Sequence, residues 1–224
     1  MTDVQVLAEG ASAQYAIIDK GRGLMESMLQ DLRRHGQELP NITADDILQA
    51  ENTVGVDIGE GTVNFPVFQD GRFNPDASAT FSKGYGTVLE QARERLQEMN
   101  MAFNSRKALA DFLQRKPSPM QQARFNKVAQ IVDEEIFGFT QEIKLEFSKV
   151  VSRVGAYLEV VYVYGGGANA VKESLYPQLI GVVKNLGGAE EAYPILYLDS
   201  RYSRYLNREG LFLIAKRLAD TEAK

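Results

Sequence analysis

Val54 to Phe68 reads V-G-V-D-I-G-E-G-T-V-N-F-P-V-F, and the rest of the chain is organised around it. Val54, Val56 and Ile58 alternate with smaller or polar residues, as do Val63, Phe65 and Val67, which predicts two strands joined by a glycine-rich reversal. Gly59 and Gly61 lack Cβ atoms, so the turn is expected to take unusual dihedrals and bring backbone N–H groups close to an anion. Asp57 stands just before the reversal, where one carboxylate can hold Mg²⁺ directly or through water. Thr62 adds a hydroxyl just after it. An ordinary hairpin, with Gly-x-Gly serving the turn alone, explains the same residues.

Composition narrows the function classes. The 224 residues are enough for one large domain or two small ones, with 44% hydrophobic and 25% charged residues in the globular range. A net charge of −5 gives no electrostatic case for direct binding to nucleic acid or to an anionic membrane surface. No cysteine is present, which excludes disulfides, thiolate catalysis and thiolate metal sites. The single histidine, His35, lies in a polar run and argues against multi-histidine metal sites and Ser–His catalysis. The first residues carry no signal-peptide pattern, and no apolar run approaches the ~20 residues of a membrane span. The sequence reads as that of a soluble, cytoplasmic protein.

Val4 to Leu7 is a strand candidate that ends at Glu9-Gly10, and Ala11 to Ile18 begins a helix behind it. Catalytic groups sit beyond the carboxyl ends of strands in α/β sheets, which draws attention to Glu9, although a solvated strand-end charge accounts for it as well. Leu24, Met28, Leu29 and Leu32 keep helical spacing, and Thr43 offers an N-cap for a short helix through Leu48. Asp70-Gly71 is a turn that returns Arg72 and Phe73 as a strand. Val88, Leu89, Ala92, Leu96 and Met99 share a helix face, and Ser105 opens another short helix. Ser118-Pro119-Met120-Gln121 reads as a helix start. From Phe125 to Val154 apolar residues recur in steps of three and four, giving one helix of ~50 Å or two broken near Gly138. A core-facing layer is favoured over a coiled-coil arm.

Tyr157 to Tyr164 is the strongest strand signal, β-branched and aromatic throughout. It runs into Gly165-Gly166-Gly167-Ala168 and then a helix with Val171, Leu175 and Leu179. Such a turn lets the backbone pass close to a flat group at a helix N-terminus, or serves only as a tight connection. Pro194 to Leu198 gives a last strand, and Gly210 to Leu218 a closing helix with Leu211, Ile214 and Leu218 inward.

A D-x-G-x-G-T hairpin followed about a hundred residues later by strand, G-G-G-A and helix resembles the actin/hexokinase/heat-shock-chaperone ATPase superfamily. Within it the chain resembles bacterial plasmid-segregation actins of the ParM/StbA type. V-Q-V-L-A-E-G-A-S-A-Q-Y resembles the opening of their second domain, G-Y-G-T-V-L-E-Q-A the approach to their helical subdomain, and Y-L-N-R-E-G-L their asparagine-x-x-glycine run. The resemblance implies an α/β fold, the ribonuclease H-like second domain of an actin-like ATPase, with a mixed sheet flanked by helices. It also implies a division into 1–80 with 154–224, carrying the phosphate hairpin and adenosine motif, and an inserted helical subdomain at 81–153. No first phosphate loop precedes Glu9, so the expectation is the second domain alone.

By resemblance, Glu9 positions the attacking water and Asp57 holds the Mg²⁺ of ATP or GTP. Gly59, Glu60, Gly61 and Thr62 form the phosphate hairpin, with the Glu60 side chain turned away. Gly165, Gly166, Gly167, Ala168 and Asn169 line the adenosine, and Lys127 is a weaker candidate for the sugar. The implied function is the nucleotide-binding half of a filament-forming ATPase for plasmid or DNA segregation, with little turnover in this chain alone. Its partners would be further copies of itself and an adaptor that reaches DNA. A non-catalytic assembly module derived from an actin-like protein is the alternative, and a kinase-type member of the superfamily ranks last.

Overall fold

The structure, a computed structural model, describes residues 10–35, 37, 39, 41–187, 193–198 and 200–222. The strand expected at Val4 to Leu7 and the candidate Glu9 lie outside the described residues. Helices α1 (Ala11–Asp19), α2 (Gly21–Arg34) and α3 (Ala44–Gln49) precede strands β1 (Thr53–Ile58), β2 (Val63–Phe65), β3 (Val67–Gln69), β4 (Arg72–Phe73) and β5 (Ala79–Phe81). Then come α4 (Tyr85–Glu98), α5 (Arg106–Leu113), α6 (Gln122–Val154), β6 (Val160–Tyr164), α7 (Ala168–Gly187), β7 (Ile195–Tyr197), α8 (Ser200–Ser203) and α9 (Leu206–Glu222).

The sheet is mixed, as expected. On one side β1 pairs antiparallel with β2 near its carboxyl end and with β3 near its start. Pro66 separates those two strands, and its carbonyl accepts from the Gly55 amide at 2.8 Å, so the ladder continues past a residue that has no donor of its own. On the other side β1 pairs parallel with β6, and β6 with β7. The three parallel strands therefore end along one edge, at Ile58, Tyr164 and Tyr197.

Strand alternation splits the core in two. Val54, Val56, Ile58, Val161, Val163 and Ile195 face α4, α6 and α7. Val160, Tyr162, Tyr164 and Leu196 face α1, α2 and α3. β1 is buried on both faces, as a strand paired on both sides in a helix-covered sheet must be. Gly55 is required there. A Cβ would lie 2.6 Å from the Tyr164 hydroxyl and 2.7 Å from Pro66 Cγ.

Several local readings hold. Thr43 caps α3 in a reciprocal capping box with Asp46. Asp70 and Gly71 both take positive φ, 49° and 71°, as a two-residue hairpin turn demands. Residues 122–154 form one helix of 33 residues, unbroken at Gly138, with Val132, Ile136, Phe139, Ile143 and Phe147 buried.

Others need correction. The helix begins at Gln122 rather than at Ser118, because Gln121 N–H closes a turn onto the Ser118 carbonyl at 2.9 Å and the Ser118 hydroxyl caps no amide. Met99 is exposed, having fallen past the last turn of α4. Tyr157 is 74% exposed in a 3₁₀ turn, since Gly155 at φ 63° ends α6 and the chain must reverse before β6 starts at Val160. Leu211 and Leu218 point outward and Ile214 is half-buried, because α9 meets α1 through Leu206 and Gly210. β5, unforeseen, is a three-residue edge strand on β2 and too short to carry a pattern.

Candidate functional site

Asp57 is buried at the carboxyl end of β1, with 5% of its surface exposed. Two glycines with positive φ frame its carboxylate. A Cβ on Gly10 (φ +85°) would stand 3.3 Å from Asp57 Oδ2, and one on Gly165 (φ +102°) 2.6 Å from Oδ1. Asn207, in the first turn of α9, donates from Nδ2 to Asp57 Oδ2 at 2.7 Å. Its own carbonyl oxygens accept from the Ser12 hydroxyl at 3.1 and 3.2 Å. Beneath lies a buried polar run: Tyr164 donates to the Gly10 carbonyl at 2.8 Å, and Thr53 to Gln14 at 2.5 Å. Burial, and then the charge of Asp57, push the Tyr164 phenol well above its usual range against a smaller opposing pull from Gln14. The hydroxyl therefore stays a donor.

The reversal Gly59-Glu60-Gly61-Thr62 is closed by the Gly59 amide on the Thr62 carbonyl at 2.9 Å. Neither glycine takes positive φ, contrary to expectation. Gly59 is needed for room, since a Cβ would sit 3.1 Å from that carbonyl, whereas one on Gly61 would meet nothing within 4 Å. The tip is clasped from outside. Tyr85 and Gly86 amides donate to the Gly59 and Glu60 carbonyls, both at 2.9 Å, and Glu60 Oε1 pairs with Arg106 at 3.1 Å. Gly84 makes this approach possible, because a Cβ there would lie 2.4 Å from the Glu60 carbonyl. The amides of Glu60, Gly61 and Thr62 have no hydrogen-bond partner among the described residues.

The triglycine turn divides between packing and opening. Gly165 lies against the Ile58 backbone and is held by Ser203, whose hydroxyl donates to its carbonyl at 2.8 Å. The Gly167 amide donates to the Ile58 carbonyl at 2.8 Å, and a Cβ on it would strike Tyr85. Gly166 and Asn169 are exposed, with open space beside Gly166, while Ala168 is buried at the start of α7. Asp57, the reversal and the triglycine turn thus meet at the shared carboxyl edge of β1 and β6. Tyr85 touches the triglycine turn at Gly167, and its phenol is raised first by burial and then by the charges of Glu60 and Asp133. Lys127 lies on α6 and contacts Gln130 at 3.4 Å. Sequence reasoning missed Ser12, Gly10 and Gly84 as parts of the site. Asn207 carried a signal only through its asparagine-x-x-glycine run.

A mixed sheet with this hairpin, this triglycine turn and a helical excursion between β5 and β6 is the C-terminal domain fold of an actin-like ATPase. The profile of the family described as archaeal actin homologue MreB-like, C-terminal, matches residues 55–176, more than half of the chain, and the chain belongs to that family. An archaeal actin homologue in complex with ADP is similar at 13% identity and a TM-score of 0.58, over 94% of this chain and 57% of that one. Bacillus thuringiensis ParM with ADP is similar at 20% identity and a TM-score of 0.53, over 76% and 48%. The same ParM in its apo form is similar at 17% identity and 0.53, over 97% and 53%. At such identities the likeness is one of fold, and the chain spans about half the length of these structures. No curated protein matches the chain. Among the described residues no helix is long and apolar enough to cross a membrane.

Proposed function

We propose that this chain is the nucleotide-binding half of an actin-like, filament-forming ATPase that works in plasmid or DNA segregation. The observation that carries the reading is the Asp57 carboxylate, buried and aligned by Asn207 at the edge where the reversal and the triglycine turn meet. In this reading the amides of Glu60, Gly61 and Thr62 and the Thr62 hydroxyl bind phosphate oxygens, and Glu60 stays on Arg106 rather than facing them. Gly166 and Asn169 receive the nucleoside beside the first turn of α7. Residues 1–80 and 154–224 form the α/β part, and 81–153 the helical insertion.

Mg²⁺ fits the donor set. Among the described residues no group of three or more ligating side chains gathers, and a hard cation that retains waters and rides on phosphates asks the protein for one carboxylate. When bound, the metal neutralises phosphate charge, and Asp57 would hold it. Glu9 is proposed, on resemblance, to orient the water. ATP and GTP are both candidates, self-association is the assembly mode, and an adaptor would reach DNA because the acidic chain has no electrostatic hold on it. The cytoplasm is the compartment that fits this work.

In a site shared between two halves this half supplies one phosphate loop, so the chain alone should bind weakly and release little phosphate. Losing one well-placed donor costs about 3 kcal/mol in the transition state, and a whole loop more. Calorimetry with Mg·ATP and Mg·GTP tests this. Binding should be weak and should vanish in Asp57→Ala or with EDTA, and an Asp57→Ala chain that binds as well as the wild type refutes the reading.

A nucleotide-independent assembly module is the second reading, favoured by one feature. Phe212 on α9 is 70% exposed beside outward Leu211. Salt-stable oligomers formed without nucleotide and lost in Phe212→Ser would support it, and a strictly monomeric sedimentation profile would oppose it.

A further inference from the structure

Across the sheet edge from Asp57, helices α2 and α7 do not close on each other. Between them lies a cavity of about 660 Å³, within the size range of small-molecule sites. α2 turns a polar stripe to it, with Ser27, Gln30, Asp31 and Arg34, and α7 answers with Asn169 and Lys172. Met28, Tyr197 and Leu198 make its apolar floor at the end of β7. Two contacts hold the walls: Lys172 Nζ reaches Asp31 Oδ2 at 2.5 Å, and Lys20 pairs with Glu209 at 2.6 Å while lying 5.1 Å over the Tyr202 ring.

The charge is uneven. Lys20, Arg34 and Lys172 line the cavity; Glu209 answers Lys20 and Asp31 answers Lys172, which leaves the Arg34 charge in excess in a chain whose net charge is −5. Arg34 makes no ion pair with any described residue. A cation in excess beside a half-open polar groove raises the local concentration of anions. A guanidinium with unused donors suits the oxygens of a phosphate group. Gly23, on the α2 wall, borders open space: a Cβ there would meet nothing within 4 Å, and its φ is not positive.

We propose that the cavity between α2 and α7 is a second binding site, for a small phosphorylated molecule, with Arg34 and Lys172 as its anion contacts. The cavity shares Asn169 with the proposed nucleoside site, while Asp57 and the reversal take no part in it.

Pyrophosphate in EDTA, titrated calorimetrically into the whole chain, is the test. Wild type and Asp57→Ala should bind alike, and Arg34→Gln should weaken binding about tenfold, the loss of one charged hydrogen bond. Gly23→Leu should weaken binding by intruding on the space from the α2 wall. It should also keep or raise thermal stability, since leucine is the better helix former and the site has room. Absence of binding at millimolar pyrophosphate overturns the proposal. So does binding that is unchanged in Gly23→Leu, or that disappears in Asp57→Ala.

Discussion

Asn207 donates to Asp57 across 150 residues of sequence, at 2.7 Å, and Ser12 in turn holds the oxygen side of the same amide. The carboxylate that ends β1 is thereby aimed by a residue of the last helix. Replacing Asn207 with alanine should leave Asp57 short of one charged hydrogen bond in a buried place, at a cost of about 1.5–3 kcal/mol. Asn207→Asp should cost more, since two carboxylates would then meet in the same notch. Chemical denaturation of the two variants against wild type measures both, with Asn207→Asp expected to recover towards the alanine variant at acid pH.

The triglycine turn gives a sharper contrast. Gly165→Ala must place a Cβ within 2.6 Å of Asp57 Oδ1 and of the Ile58 backbone at a φ of +102°, so strain and overlap should destabilise the chain by about 2–4 kcal/mol. Gly166→Ala meets nothing within 4 Å and should leave the melting temperature within about 2 °C. If Gly166 borders the nucleoside, as proposed, the second variant should still weaken nucleotide binding. Thermal melts paired with nucleotide titrations separate the two effects.

Gly210 is where α9 lies on α1, and a Cβ there would come within 1.8 Å of the Ser12 carbonyl oxygen. Gly210→Ala should pry the helices apart and break the Ser12–Asn207–Asp57 chain. Hydrogen exchange should then rise in both helices together, while α6 keeps its protection. Unchanged exchange in α1 would contradict this packing.

Burial raises the phenols of Tyr162, Tyr164, Tyr176 and Tyr197 above their ordinary values. A group whose folded pKa is raised contributes stability that is full below its unfolded pKa, about 10 for tyrosine, and is lost as the pH climbs towards the folded value. The melting temperature should therefore fall steeply above about pH 10. Tyrosinate absorbance should show these four ionising only as the chain unfolds.

Much of the fold was legible because it rests on local chemistry. Thr43 caps a helix wherever its oxygen can reach Asp46, Asp70-Gly71 turns a hairpin by its dihedrals, and the apolar period from Phe125 to Val154 needs only helical geometry to make a face. The hairpin and the triglycine turn were readable as motifs for the same reason, and with them the fold class. The face α9 would bury was not readable. Its leucines keep a helical period, but the small residue Gly210 lets backbone meet backbone on α1, and contact is settled there rather than at Leu211.

By itself the sequence determined most of the strands and helices and the two glycine-rich turns, since propensity, capping and turn chemistry act over a few residues. Only the tertiary structure decided what those residues do together. Gly165 and Gly167 are held by the Ile58 backbone, Gly166 is left open, Glu60 is drawn to Arg106, and Asp57 is fixed by Asn207. Each of these depends on which surfaces pack across the sheet, a choice made by the whole chain folding at once.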